Sequence, residues 1–165
     1  MVLGMSLSTF TLLHVLISLA GIGTGFIVVY GMLNGKLLHG WTGIFLVTTV
    51  LTSATGFLFP VEHVLPSHIV GIISLVALAL AILGRHVFHL AGAGRLLYVV
   101  GSVTALYLNC FVAVVQAFLK VPALHALAPN GKEPPFVAAQ VVVLGTFIGL
   151  GIVAGKRFQV QAARA

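Results

Sequence analysis

Five stretches of about twenty or more residues, nearly free of charge and separated by short polar breaks, constrain this chain more than any other feature. A hydrocarbon layer of about 30 Å is crossed by roughly 20 helical residues rising 1.5 Å each. Laid along the chain, that ruler marks crossings at about 9–33, 41–59, 68–88, 96–119 and 136–155. Peptide groups in oil have no water to bond, so a segment satisfies them internally as a helix or by closing a barrel. These runs lack the in-out alternation of barrel strands. The prediction is an all-α integral membrane protein, a single domain over residues 1–165 built as a bundle of five transmembrane helices.

Charge supports that reading and orients it. Only 6% of the residues are charged, Asp is absent, and Glu occurs only at Glu62 and Glu133. Soluble domains carry about 25%. The eight Lys and Arg residues sit at the ends of apolar runs and form no stripe, which excludes a nucleic-acid partner. Lys36, Arg85, Arg95, Lys156, Arg157 and Arg164 fall on one predicted side, Lys120 and Lys132 on the other. Cytoplasmic loops retain cations, so the N-terminus is expected outside and the C-terminus in the cytoplasm of a bacterial inner (plasma) membrane. Residues 1–8 carry no Lys or Arg, and no small-residue cleavage site follows the first run, so the first helix is expected to be retained. The lone Cys110 permits no intrachain disulfide.

The breaks read as helix ends: Asn34-Gly35-Lys36, Pro60 to Pro66, Ala91 to Arg95, and Lys120 to Pro135. Within the last, residues 121–127 are apolar enough for a short interfacial helix. Lipid supplies no hydrophobic push between helices, so small and polar residues mark the seams. Gly21 with Gly25, Gly145 with Gly149, and Gly151 with Gly155 each stack at a four-residue spacing, suited to packing within the chain or to a dimer. Helix two carries a stripe of Thr48, Thr52 and Thr55, with Thr49, Ser53 and Gly56 adjacent. Such hydroxyls bond the carbonyl a turn earlier or line a transport path. Ser102, Asn109 and Gln116 in helix four are spaced by seven and share a face expected to point inward. An unsatisfied buried amide costs about 1–3 kcal/mol, so Asn109 and Gln116 should meet another helix or a bound molecule.

Histidine is the one functional class in excess, with seven residues. His14, His63, His68 and His125 fall toward the predicted outer face, and His39, His86 and His89 toward the inner. His14 alone lies well inside a run, where an ionisable group marks a functional site. Imidazoles at similar depth on two helices suit a b-type haem, which assigns His14 and His68 as ligands beside the polar face of Asn109 and Gln116. Alternatively His14, Glu62, His63 and His68 offer one carboxylate and three imidazoles to a transition metal such as zinc or copper. The remaining histidines read as interfacial. No nucleophile elbow, phosphate loop, dinucleotide fingerprint or zinc-protease helix occurs, and no acid lies mid-run to couple transport to protons.

Residues 55–60 (Thr-Gly-Phe-Leu-Phe-Pro), 71–75, 105–122 and 133–136 resemble a family of small, multi-spanning proteobacterial inner-membrane proteins of unassigned function, over nearly the whole chain. The resemblance implies inner-membrane localisation and brings no catalytic residues. A more distant similarity in style is to cytochrome b561-like bundles, whose haem ligands lie within helices as His14 does here. The expected function is an electron-transfer module linked to haem b and quinone, with a histidine site in the outer leaflet. Its rivals are a non-catalytic accessory or anchoring subunit of a larger membrane complex, or a homo-oligomer, and a small-solute channel or transporter resting on the threonine stripe.

Overall fold

The computed structural model describes residues 2–60 and 66–159, and among these the chain is helical throughout, with no strand beyond one bridge pairing Val2 with Met5. Five long helices alternate in direction: α1 (Leu7–Leu33), α2 (His39–Gly56), α3 (Pro66–Ile82), α4 (Ala93–Lys120) and α6 (Pro134–Arg157). Between the last two lies the short α5 (Pro122–Leu127), where the apolar loop stretch was expected to coil. The boundaries have local causes. The Ser6 hydroxyl accepts the Thr9 amide at 3.2 Å and starts α1. Gly35, at φ +67, lets the chain leave it. Pro134 and Pro135 open α6, where a proline costs no helical bond.

Four helices are long and apolar enough to cross a membrane: Leu7–Leu33, Ser67–Val87, Ala93–Lys120 and Pro134–Arg157. α2 is not among them. It spans 18 residues, and six are Thr or Ser, which lowers its hydropathy without adding charge. Several of those hydroxyls are used inside the protein. Thr42 and Thr49 are fully buried, and the Ser53 hydroxyl meets that of Ser74 in α3 at 3.1 Å. Thr48 and Thr55 bond the carbonyls of Ile44 and Leu51, each at 2.7 Å.

α4 touches every other helix and occupies the centre of the bundle. Its Tyr98, Ser102 and Leu106 are enclosed, as the inward polar face requires, and Asn109 points its amide toward Thr49 of α2 at a long 3.5 Å. Gln116, expected on that face, is exposed. A seven-residue step falls about 20° short of two full turns, so two steps rotate Gln116 by about 40° from Ser102.

The glycine seams separate by environment. Gly21 packs against Thr48, Thr49 and Asn109, and Gly25 against Leu106 and Phe45, so both lie within the bundle. A side chain at Gly145 or Gly149 would meet nothing within 4 Å, so that part of α6 faces outward; Gly151 touches only Val103. The tightest seam is one that four-residue spacing does not mark. A Cβ at Gly84 would collide with backbone of Gly94 and Tyr98, and one at Gly101 with backbone of Ala77 and Ala81. There α3 and α4 touch main chain to main chain.

Candidate functional site

The ends of the bundle hold different chemistry. At the first, His14 is the eighth residue of α1, about 10 Å from its start at 1.5 Å per residue, and half-buried. Its Nδ1 lies 2.8 Å from the Thr55 hydroxyl oxygen near the end of α2, and its ring meets Phe59 edge-on at 5.1 Å. Phe59 in turn packs on Phe10 at 5.0 Å. The Thr55 proton is directed to the Leu51 carbonyl. The assignment that uses both short contacts has Nδ1–H donating to Thr55, which leaves the Nε2 lone pair of the neutral ring available. Among the described residues no hydrogen-bond partner meets Nε2.

His68, in the first turn of α3, lies with its ring 5.6 Å from that of Phe57. Both imidazoles therefore gather at the same end of α2, against Phe57 and Phe59. They approach from two sides, since α2 packs on both α1 and α3. Asn109 sits two turns deeper, against Gly21 and Thr49, where it ties α4 to α1 and α2. Gln116 lies on the exposed side of α4. The proposed metal set cannot be traced: Glu62 and His63 lie outside the described residues, and among the described residues no three His, Cys, Asp or Glu side chains are grouped to hold a metal ion.

The second end gathers Arg85, which sequence reasoning treated only as an orienting charge, and His39, which it read as interfacial. After Ile82, α3 continues as one π-helical turn, Leu83–Val87, a geometry frequent at functional sites. The turn carries Arg85, whose Nη2 lies 3.4 Å from His39 Nδ1 and 3.5 Å from the His39 carbonyl oxygen. Nη1 is enclosed and lacks an acceptor among the described residues, a deficit costing about 1–3 kcal/mol. Close to this guanidinium, the buried Tyr98 hydroxyl meets that of Thr42 at 3.0 Å, and its ring packs on Phe158 at 5.5 Å. Beyond the turn, His89 and Leu90 hold φ of 48° and 60°, a left-handed conformation that costs about 1–3 kcal/mol for a residue with a side chain. The available signal was Arg85 itself, lying inside the apolar run at 68–88 and seven residues before the loop glycine Gly92.

The bundle also has an apolar cleft of about 370 Å³, open to its surroundings, between α1, α4 and α6; Ile22, Phe26, Cys110, Val142 and Phe147 line it. No family model, curated protein or solved structure matches the chain.

Proposed function

We propose that the protein is a multi-pass redox module of a bacterial inner membrane, which holds a planar redox group, a b-type haem or a quinone, at the His14 end and exchanges electrons with a membrane partner. In this reading α2 is the fifth crossing, the Arg85 end faces the cytoplasm, and His14 lies toward the outside. The observation that carries it is the His14–Thr55 contact. A histidine ligand characteristically donates its second ring N–H to a neighbouring acceptor, which sets the tautomer and steadies the ring. Thr55 is placed to be that acceptor, and Nε2 remains as an iron ligand or as the base for the hydroxyl proton of a reduced quinone.

What supports such a group is donor chemistry, two imidazoles at one end of α2 beside Phe57 and Phe59. His14 and His68 would hold a haem iron, which supplies one-electron chemistry when bound, and Phe57 and Phe59 would offer apolar surface to its ring. The chain's own contribution is to keep the proton on Nδ1, keep Nε2 unprotonated, and exclude water with Phe10 and Phe59. Protein purified in mild detergent from haem-replete cells is expected to show a Soret band or to yield extractable quinone near one equivalent, with both lost in His14→Ala. Wild-type protein carrying neither would overturn the reading.

A second reading has one observation of its own. The outward Gly145–Gly149 face of α6 lets another helix approach closely, as an accessory subunit or a homo-oligomer requires. Gly149→Leu should then release a partner or dissociate an oligomer on gentle size-exclusion chromatography. A wild-type protein that already runs as a lone monomer rejects it.

A further inference from the structure

We propose that the group held at the His14 end is a prenylated quinol, its ring hydroxyl on His14 Nε2 and its hydrocarbon tail in the apolar cleft between α1, α4 and α6. This rests on the redox reading above and decides between its two groups. Haem b takes both imidazoles on one iron, and His14 and His68 approach from two sides of α2. A quinol takes only the imidazole whose proton the contacts place. With Nδ1–H given to Thr55 at 2.8 Å and the Thr55 proton given to the Leu51 carbonyl, Nε2 accepts a hydroxyl proton but has none to offer a quinone carbonyl. The reduced form is therefore the one recognised.

The tail has a path along the same helix. His14, Ser18, Ile22 and Phe26 form a row at four-residue spacing, and each step overshoots a full turn by about 40°. The row starts against α2, where His14 meets Thr55, and ends against α6, where the Phe26 ring lies 6.1 Å from that of Phe147. Ile22 and Phe26 are themselves walls of the cleft, about 12 and 18 Å deeper along α1 than His14. Its volume of about 370 Å³ is that of a small-molecule site, and the one hydroxyl on its lining, that of Thr146, is spent on the Val142 carbonyl at 2.8 Å. Only hydrocarbon gains by entering. Charge selects the headgroup: α1 carries no Lys, Arg, Asp or Glu, so the row offers no partner to the charged headgroup of a phospholipid, whereas a neutral ring hydroxyl finds its acceptor in His14.

Cys110, the single cysteine, lines the cleft and is partly exposed, so its alkylation reports on the tail. The full-length protein, washed in maltoside detergent, is titrated anaerobically with a fully ring-substituted benzoquinol bearing a geranylgeranyl tail, and N-ethylmaleimide labelling of Cys110 is followed by mass. The quinol is expected to slow labelling saturably, and the same quinol without its tail to leave labelling unchanged. Its dimethyl ether, which keeps ring and tail but has no hydroxyl proton to give, should need at least about tenfold more for the same protection. His14→Ala should bring quinol and ether within about twofold of each other. Thr55→Val should narrow the gap in the same direction, and serves if His14→Ala fails to fold by its melting profile. The proposal is overturned if the tailed quinol leaves wild-type labelling unchanged, if the tailless quinol or the ether protects as well, or if Thr55→Val and a folded His14→Ala keep the wild-type gap. A Soret band in protein whose Cys110 the quinol fails to protect leaves the redox reading standing with haem as its group. Protein with no Soret band, no extractable quinone and no protection removes both.

Discussion

The His14 end and the Arg85 end use the same residue type in opposite senses. At His14 a neighbouring hydroxyl takes up the Nδ1 proton, so the ring offers a lone pair among apolar rings. At His39 a guanidinium faces Nδ1, so the ring's lone pair is taken up and its proton sits on Nε2. One imidazole turns a ring proton to its neighbour, the other a lone pair. What distinguishes them is the partner on the neighbouring helix, not the histidine.

The strongest way to break this contrast is to part the helices at one end only. Gly84→Leu drives a side chain into the backbone of Gly94 and Tyr98, so it should destabilise by about 3 kcal/mol or more. Because Gly84 lies beside Arg85, the His14–Thr55 pair should survive in whatever protein folds, which thermal unfolding in detergent and a haem or quinone assay check together. At the other end, Thr55→Val keeps shape and removes the acceptor of the His14 proton. It should weaken retention of the proposed redox group about 10–100-fold while leaving the contacts at the Arg85 end unchanged.

Tyr98→Phe sharpens the comparison more gently. It deletes the hydroxyl that meets Thr42 and lies near Arg85, and should cost about 1 kcal/mol in thermal stability. The smallest effect belongs to Glu133, beside neither site. The Lys132 backbone amide, helped by the side chain and amide of Asn130, holds its carboxyl down at about 2 against an ordinary 4.5. A lowered carboxyl contributes its stability above pH about 4.5 and loses it as pH falls toward about 2. Protection of the Asn130 and Lys132 amides, relative to the intrinsic exchange rate at each pH, should fall across that window, and Glu133→Gln should remove the dependence with little change at either end of the bundle.

Much of the architecture could be read before any coordinates. Runs of apolar residues bounded by Gly and Pro located all five long helices, and the apolar stretch after Lys120 located α5. Periodicity also put Ser102 and Asn109 of α4 on one inward face. Gln116 escaped because helical drift accumulates over two steps of seven. The three glycine pairs looked alike in spacing, yet Gly21 and Gly25 pack inside while Gly145 and Gly149 face outward. Spacing says which residues share a face of a helix but not what lies opposite it. Of the threonine stripe, Thr48 and Thr55 bond carbonyls within α2, and the adjacent Thr49 and Ser53 are enclosed by neighbouring helices.

Composition and charge alone determined that the chain must coil into apolar helices and that its cations gather toward one end, because both follow from local transfer energies. Only the tertiary structure decided which hydroxyl meets which histidine. The Thr55 partner of His14 is 41 positions away, and the His39 partner of Arg85 is 46 positions away. Such pairings depend on how helices rotate against each other, which main-chain contact at glycines such as Gly84 and Gly101 governs and no single run encodes.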